Sequence, residues 1–195
     1  TSPLAVRLPS LFAFAATLPL VAEIARRCGA GRMAPLAPVI FGLSALPADY
    51  AITARGYALW DFFLALALLG WLASLRHLRC GRSVTIGATL RASGWYVPAA
   101  IAALYTHAAT VPFLAAANLV FLGCWLRYGR PLPVLAGWCL LQLAVIACAI
   151  PEIGAILTQR WTGTHDWIPP TTPRYLAVLA ATLSGGYFAA ARWPR

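Results

Sequence analysis

Apolar residues run along this chain in seven blocks, and charged residues fall almost wholly in the gaps between them. The blocks are Leu8–Ala25, Met33–Ala48, Tyr57–Leu75, Ser93–Thr106, Val111–Leu126, Pro133–Ile150 and Tyr175–Ala191. A helix on the surface of a soluble core carries one charged face, whereas a block that is apolar all round suits lipid. The pattern therefore predicts an all-α, polytopic transmembrane helical bundle of about seven spans. Several blocks are shorter than the roughly 20 residues that cross a hydrocarbon core of about 30 Å, which predicts tilted or broken helices, or helices partly buried in protein. Prolines 35, 38, 47, 98, 112, 133 and 151 fall at block ends and bends, where neighbouring helices or water satisfy the freed carbonyls.

Composition sharpens this picture. Mean hydropathy is +0.75, and the basic set is fifteen arginines with no lysine. Arginine-rich short loops stay in the cytoplasm. Placing the loops after the first, third and fifth blocks inside, with the end of the chain, gathers Arg26, Arg27, Arg32, Arg76, Arg79, Arg82, Arg91, Arg127, Arg130, Arg192 and Arg195 there. Only Arg7, Arg55, Arg160 and Arg174 fall outside. The N-terminus is then expected outside and the C-terminus inside. The net charge of +10 is accounted for by topology and anionic lipid, which excludes nucleic acid as a partner. Acidic residues show the opposite bias: Asp49, Asp61, Glu152 and Asp166 lie on or near the outer face and only Glu23 approaches the inner one. Cys28, Cys80, Cys124, Cys139 and Cys148 form no CxxC or CxxH cluster, so neither a disulfide framework nor a thiolate metal site is expected.

Three outer segments hold the candidate chemistry. Between the second and third blocks, Asp49, Tyr50, Arg55 and Tyr57 offer an acceptor, a fixed cation and two phenols within a few residues, a set that can grip a phosphate or a sugar. The plainer reading is an Asp49–Arg55 loop pair with interfacial tyrosines. The tight turn between the fourth and fifth blocks contains His107, either a simple cap or a group that hydrogen-bonds phosphate or shuttles a proton. The longest polar stretch, residues 151–174, carries Glu152, Gln159, Arg160, Trp161, His165, Asp166 and Trp167. It reads as an outer lid or sugar platform, or as an interfacial tryptophan belt.

Several of these residues stand in familiar company. Val6-Arg-Leu-Pro-Ser10 leading into an apolar span and an Arg-Arg loop, then Leu43-Ser44, Tyr50 and Ala54-Arg-Gly-Tyr-Ala-Leu59, resemble the GT-C glycosyltransferases of the protein-mannosyltransferase-like superfamily. Leu104-Tyr-Thr-His107 and Trp167-Ile-Pro-Pro170 are similar to two further blocks of that family, in the same order. The resemblance covers nearly the whole chain and implies one GT-C-like transmembrane domain over residues 1–195, with an outer loop at about 151–174. It implies a glycosyltransferase of the bacterial inner membrane, moving a sugar from a polyprenyl-phosphate carrier to a lipid, glycan or protein on the non-cytoplasmic face. It places Tyr50, Arg55 and Tyr57 near the lipid phosphate, His107 in the same cavity and Trp167 on the covering loop, with a divalent metal as an optional cofactor. The family's main acidic motif lies in the first outer loop, which would precede Thr1, so the chain is expected to be a fragment without turnover of its own. Thr53 stands where the family often has Glu, and Asp49, four residues earlier, is the candidate replacement for the catalytic carboxylate.

Other polar positions have local roles. Glu23 is expected to pair with Arg26 or Arg27 at i+3 and i+4. Asn118 and Gln142 are expected to hydrogen-bond between helices, and Glu152 beside Pro151 marks the exit of the sixth span. Asp61, one turn into the third, either pairs with Arg55 or snorkels outward. Two competing functions remain at this level. A transporter or flippase would place ionisable groups near the midplane of several spans, and the fourth to seventh have none. A non-catalytic membrane scaffold would make the outer polar cluster incidental.

Overall fold

The computed structural model describes residues 3–44, 47–48, 51, 56–80, 85–129 and 131–161. Its principal elements are α1 (Pro3–Arg27), a 3₁₀ turn (Gly31–Met33), α2 (Leu36–Leu43), α3 (Tyr57–Cys80), α4 (Ile86–Ser93), α5 (Tyr96–Thr106), α6 (Thr110–Arg127) and α7 (Leu132–Trp161). No strand occurs among the described residues. Among the described residues four helices contain stretches long and apolar enough to cross a membrane: Ala5–Arg27, Tyr57–Arg79, Thr110–Arg127 and Leu132–Glu152. Large apolar side chains face outward along them, with Leu119 72% and Leu143 61% exposed. A water-soluble fold buries such residues, and lipid accommodates them. The chain is an all-helical protein with the apolar helices of a multi-pass membrane protein.

Helix ends follow from local chemistry. Arg26 and Arg27 occupy the last turn of α1, where positive charge complements the carbonyl end of the helix dipole. As expected, the Glu23 carboxylate receives hydrogen bonds from both guanidiniums, Arg26 at 2.7 Å. Gly29 then turns the chain at φ +95°, and Gly129 does the same after α6 at φ +80°, a region that glycine enters without a Cβ clash. The Thr85 hydroxyl caps α4 by accepting from the Ala88 N–H at 3.2 Å.

Three of the expected spans differ from the structure. Among the described residues the second block gives the end of the 3₁₀ turn, helical residues 47–48 and the eight-residue α2, which is about 12 Å long. Pro35 caps α2 and Pro38 sits in its first turn, while Ser44 leaves it in an extended conformation with its hydroxyl bonded to the Ile40 carbonyl. The fourth block gives the eleven-residue α5, about 16 Å long, preceded by a second short helix, α4, that contains Arg91. The sixth runs on through Pro151 to Trp161, since one missing N–H is not enough to end a helix whose neighbours hold it. The seventh block lies outside the described residues.

Helix α3 is the centre of the bundle, contacted by α1, α4, α5, α6 and α7. Its partners along one side form a register. His77 Nδ1 lies 3.5 Å from the Thr89 hydroxyl, and Ser74 and Ser93 share a 2.7 Å hydrogen bond. Gly70 meets the Tyr96 backbone, and Gly56 meets Thr106. As α3 is followed backwards, α4 and α5 are followed forwards, so the two short helices together run antiparallel along the full length of α3. Small residues make the approach close: Ala67, Ala100 and Ala103 are fully buried, the kind of interface that helices in lipid use. Around them Tyr96, Phe121, Trp138, Leu141 and Val145 form the core, with the Phe121 and Trp138 rings stacked at 4.6 Å. Within it, Asn118 of α6 donates to Gln142 of α7 at 3.1 Å, Trp138 donates to Asn118 at 2.8 Å and Tyr96 donates to Gln142 at 3.3 Å. Asn118 and Gln142 each bond between helices, as the sequence predicts, and they do so to one another.

Candidate functional site

The turn between α5 and α6 closes over the first turn of α3. His107 ends α5 in an extended conformation, φ −158° and ψ 128°, with its N–H still bonded to the Ala103 carbonyl at 2.9 Å. Its ring turns back on its own loop, where Nδ1 accepts from the Ala109 N–H at 3.0 Å. A neutral imidazole that accepts at Nδ1 carries its proton on Nε2, and no acceptor for Nε2 is found among the described residues. The ring is therefore fixed as a donor pointing away from its own backbone.

Two aromatic side chains flank it. Tyr57 and Trp60 each lie 5.2 Å from the His107 ring, centroid to centroid, at interplanar angles of 42° and 37°. They are three residues apart at the start of α3, so one helix face presents both. Trp60 is held from behind: its Nε1–H donates to the Thr110 hydroxyl at 2.8 Å, and that fully buried hydroxyl donates to the Ala103 carbonyl at 2.9 Å. The opposite edge is tied to α7 by the Tyr105 phenol, which donates to the Cys148 carbonyl at 2.9 Å. Gly56 allows the two segments to meet, because a Cβ there would stand 3.2 Å from Thr106 Cγ2. Half-buried Asp61 is one turn beyond Tyr57 on α3, and no ion pair to it is found among the described residues.

Of the residues expected from the sequence, Tyr57 and His107 come together although fifty positions separate them. Asp49, Tyr50, Arg55 and Trp167 lie outside the described residues, and so does Thr53. Glu152 lies half-buried within α7. Among the described residues no three His, Cys, Asp or Glu side chains converge as a metal site. Trp60 and Thr110 were not expected at the site. The signal for Trp60 was its i+3 spacing from Tyr57, while Thr110 has none, being one of several threonines near turns.

The cluster occupies one end of the bundle. At the other end the Arg79 guanidinium covers the Tyr128 ring at 5.6 Å, and Arg127 closes α6. The site and the described arginines of α3 and α6 are thus at opposite ends. What the geometry offers is one oriented imidazole N–H between two aromatic faces, with a phenol and a carboxyl within one helical turn. No protein-family model matches this chain, and comparison with curated proteins and with solved structures finds no match.

Proposed function

We propose that the chain belongs to a membrane glycosyltransferase that takes a sugar from a polyprenyl-phosphate carrier and passes it to a lipid, glycan or protein acceptor on the non-cytoplasmic face of a bacterial inner membrane. The observation that carries this reading is the Tyr57–His107–Trp60 cluster, which joins two of the sequence blocks on which the GT-C resemblance rests. Its chemistry suits the task. Transfer from a lipid phosphate develops negative charge on the departing phosphate, which a guanidinium and an imidazole N–H stabilise, while a carboxylate takes the acceptor proton. Arg55, two residues before Tyr57, supplies the guanidinium and Tyr50 a further hydroxyl. Trp60, with Trp167 on the covering loop, offers an aromatic face to the sugar, and Asp49 serves as the base.

The arrangement of charge supports the same orientation. With the arginine-bearing ends of α3 and α6 in the cytoplasm, the cluster faces outward, in a bundle of about seven crossings. The interior weighs against a transporter, because the polar network of Tyr96, Asn118, Trp138 and Gln142 is uncharged and closed by its own hydrogen bonds on three of its four side chains. The test is sugar transfer from a polyprenyl-phosphate donor by membranes containing the natural gene product. Arg55→Ala and His107→Ala are each expected to lower the rate about 10²–10³-fold, with insertion and protein level unchanged. Full activity in Arg55→Ala would overturn the reading.

A further inference from the structure

A crevice of about 170 Å³ runs between α3 and α6, walled by Leu68 and Trp71 of α3 and by Phe113, Ala116, Ala117 and Val120 of α6. The Trp71 indole N–H donates across to the Ala117 carbonyl at 3.0 Å. Ala117 is buried, while Ala116 and Val120 are exposed. The space is thus apolar, backed by a fixed contact and open outward. An apolar cavity of about 150 Å³ stays dry and accepts a hydrocarbon. Helical spacing carries both walls on to arginines. Leu68 and Arg79, eleven residues apart, share a stripe of α3, and Phe113, Val120 and Arg127 recur every seven residues on α6. There the walls meet, with the Arg79 guanidinium over the Tyr128 ring, 5.6 Å from its centroid and beside Arg127. Stacking uses the face of a guanidinium and leaves its N–H edge for an oxyanion. Both arginines are exposed, and the ion pairs found among the described residues are those of Glu23 alone.

We propose that this crevice binds one anionic diacyl phospholipid, its phosphate held between Arg79 and Arg127 and one acyl chain lying against Leu68, Trp71 and Val120. Charge complementarity selects the occupant. Two guanidiniums at the end of membrane-crossing helices attract a negative headgroup, and the apolar crevice behind them suits a hydrocarbon chain and not a polar solute. Distance agrees. Along the helix axes Arg79 stands about 12 Å from Trp71, and Arg127 about 10 Å from Val120. A chain that descends from a headgroup at the arginines therefore passes over the cavity. A further protein helix would match the apolar wall but would leave the two arginines without an anion. The inference does not depend on the glycosyltransferase reading, because it concerns the end of the bundle opposite the Tyr57–His107–Trp60 cluster.

Native mass spectrometry of the natural gene product in detergent tests this, with phosphatidylglycerol and phosphatidylcholine of identical chains titrated in parallel. One phosphatidylglycerol is expected to bind in preference to phosphatidylcholine. Arg79→Gln and Arg127→Gln should each weaken it about fivefold. Arg91→Gln, which removes an exposed arginine of α4, should leave it unchanged. Ala116→Trp fills the crevice from its exposed wall without altering charge, and it should weaken both lipids. Glycerol phosphate, the headgroup without chains, should give no adduct. The melting temperature of each variant without added lipid shows that it is folded, and the arginine variants carry the test if Ala116→Trp is not. Equal binding of the two lipids, or a loss in Arg91→Gln as large as in Arg79→Gln, would mean diffuse charge and overturn the proposal. An adduct with glycerol phosphate would reduce the site to a surface anion site, and the absence of any bound lipid would mean that another helix covers the crevice. Either result would equally overturn it.

Discussion

Thr110 shows how much of the candidate site depends on a residue that touches no substrate. Its hydroxyl is the only partner found for the Trp60 indole N–H among the described residues, and Trp60 in turn flanks His107. Thr110→Val keeps the volume and removes the acceptor. Interhelical hydrogen bonds in membranes contribute about 0.6 kcal/mol on average and up to about 1.7 kcal/mol, and leaving the indole donor buried without a partner adds to the upper end. We expect Thr110→Val to lower stability by about 1–2 kcal/mol in detergent-titration unfolding. Thr110→Ser should recover most of it, and a loss of similar size in the serine variant would mean that packing of the methyl, and not the hydrogen bond, is what counts. At this scale the sequence was only partly legible. Tyr57 and His107 stood out because polar aromatic groups in outer loops are conspicuous against an apolar background. Thr110 did not, because a threonine at a helix start is common and its role here comes from a helix fifty residues away.

Between elements, the governing contacts are close approaches, and two glycines in long helices separate cause from coincidence. A Cβ on Gly70 would stand 2.8 Å from Tyr96 Cβ and 2.9 Å from its backbone nitrogen, whereas a Cβ on Gly123 would meet nothing within 4 Å. Gly70→Ala must therefore push α5 off α3, at about 1–3 kcal/mol. Gly123→Ala should be neutral or stabilising by up to about 1 kcal/mol, since it only reduces the freedom of the unfolded chain. Thermal inactivation of the two variants side by side checks this, and equal effects would contradict the packing described. Long helices were legible from hydropathy because α1, α3, α6 and α7 are apolar all round. The short ones were not. A block that begins at Ser93 hides the fact that the packing along α3 starts at α4, because Arg91 interrupts the hydropathy while the register of Thr89 and Ser93 against His77 and Ser74 continues through it. Nor does Pro151, which looks like a stop, act as one.

For the molecule as a whole, the expected outcome concerns sidedness. Cys28 follows α1 and is exposed, and Ala108 is exposed in the turn above the site. With Cys80, Cys124, Cys139 and Cys148 changed to Ala, a membrane-impermeant maleimide applied to intact cells should leave Cys28 unlabelled and modify a cysteine introduced as Ala108→Cys. Lysis should expose Cys28. The reverse pattern would invert the orientation and, with it, the outward placement of the cluster.

The turn at Gly94 between α4 and α5 bears on this count of sides more than any long helix does. Consecutive crossings of a membrane alternate in direction, so if α4 and α5 were only a surface excursion, α3 and α6 would be successive crossings and point opposite ways. They point the same way: Trp60 meets Thr110 near the start of both, and Arg79 meets Tyr128 near their ends. Two helices too short to be recognised singly thus act together, carrying the chain back along α3 so that α6 starts beside the start of α3. A reading that omits them would make α3 and α6 antiparallel, which the Trp60–Thr110 and Arg79–Tyr128 contacts contradict.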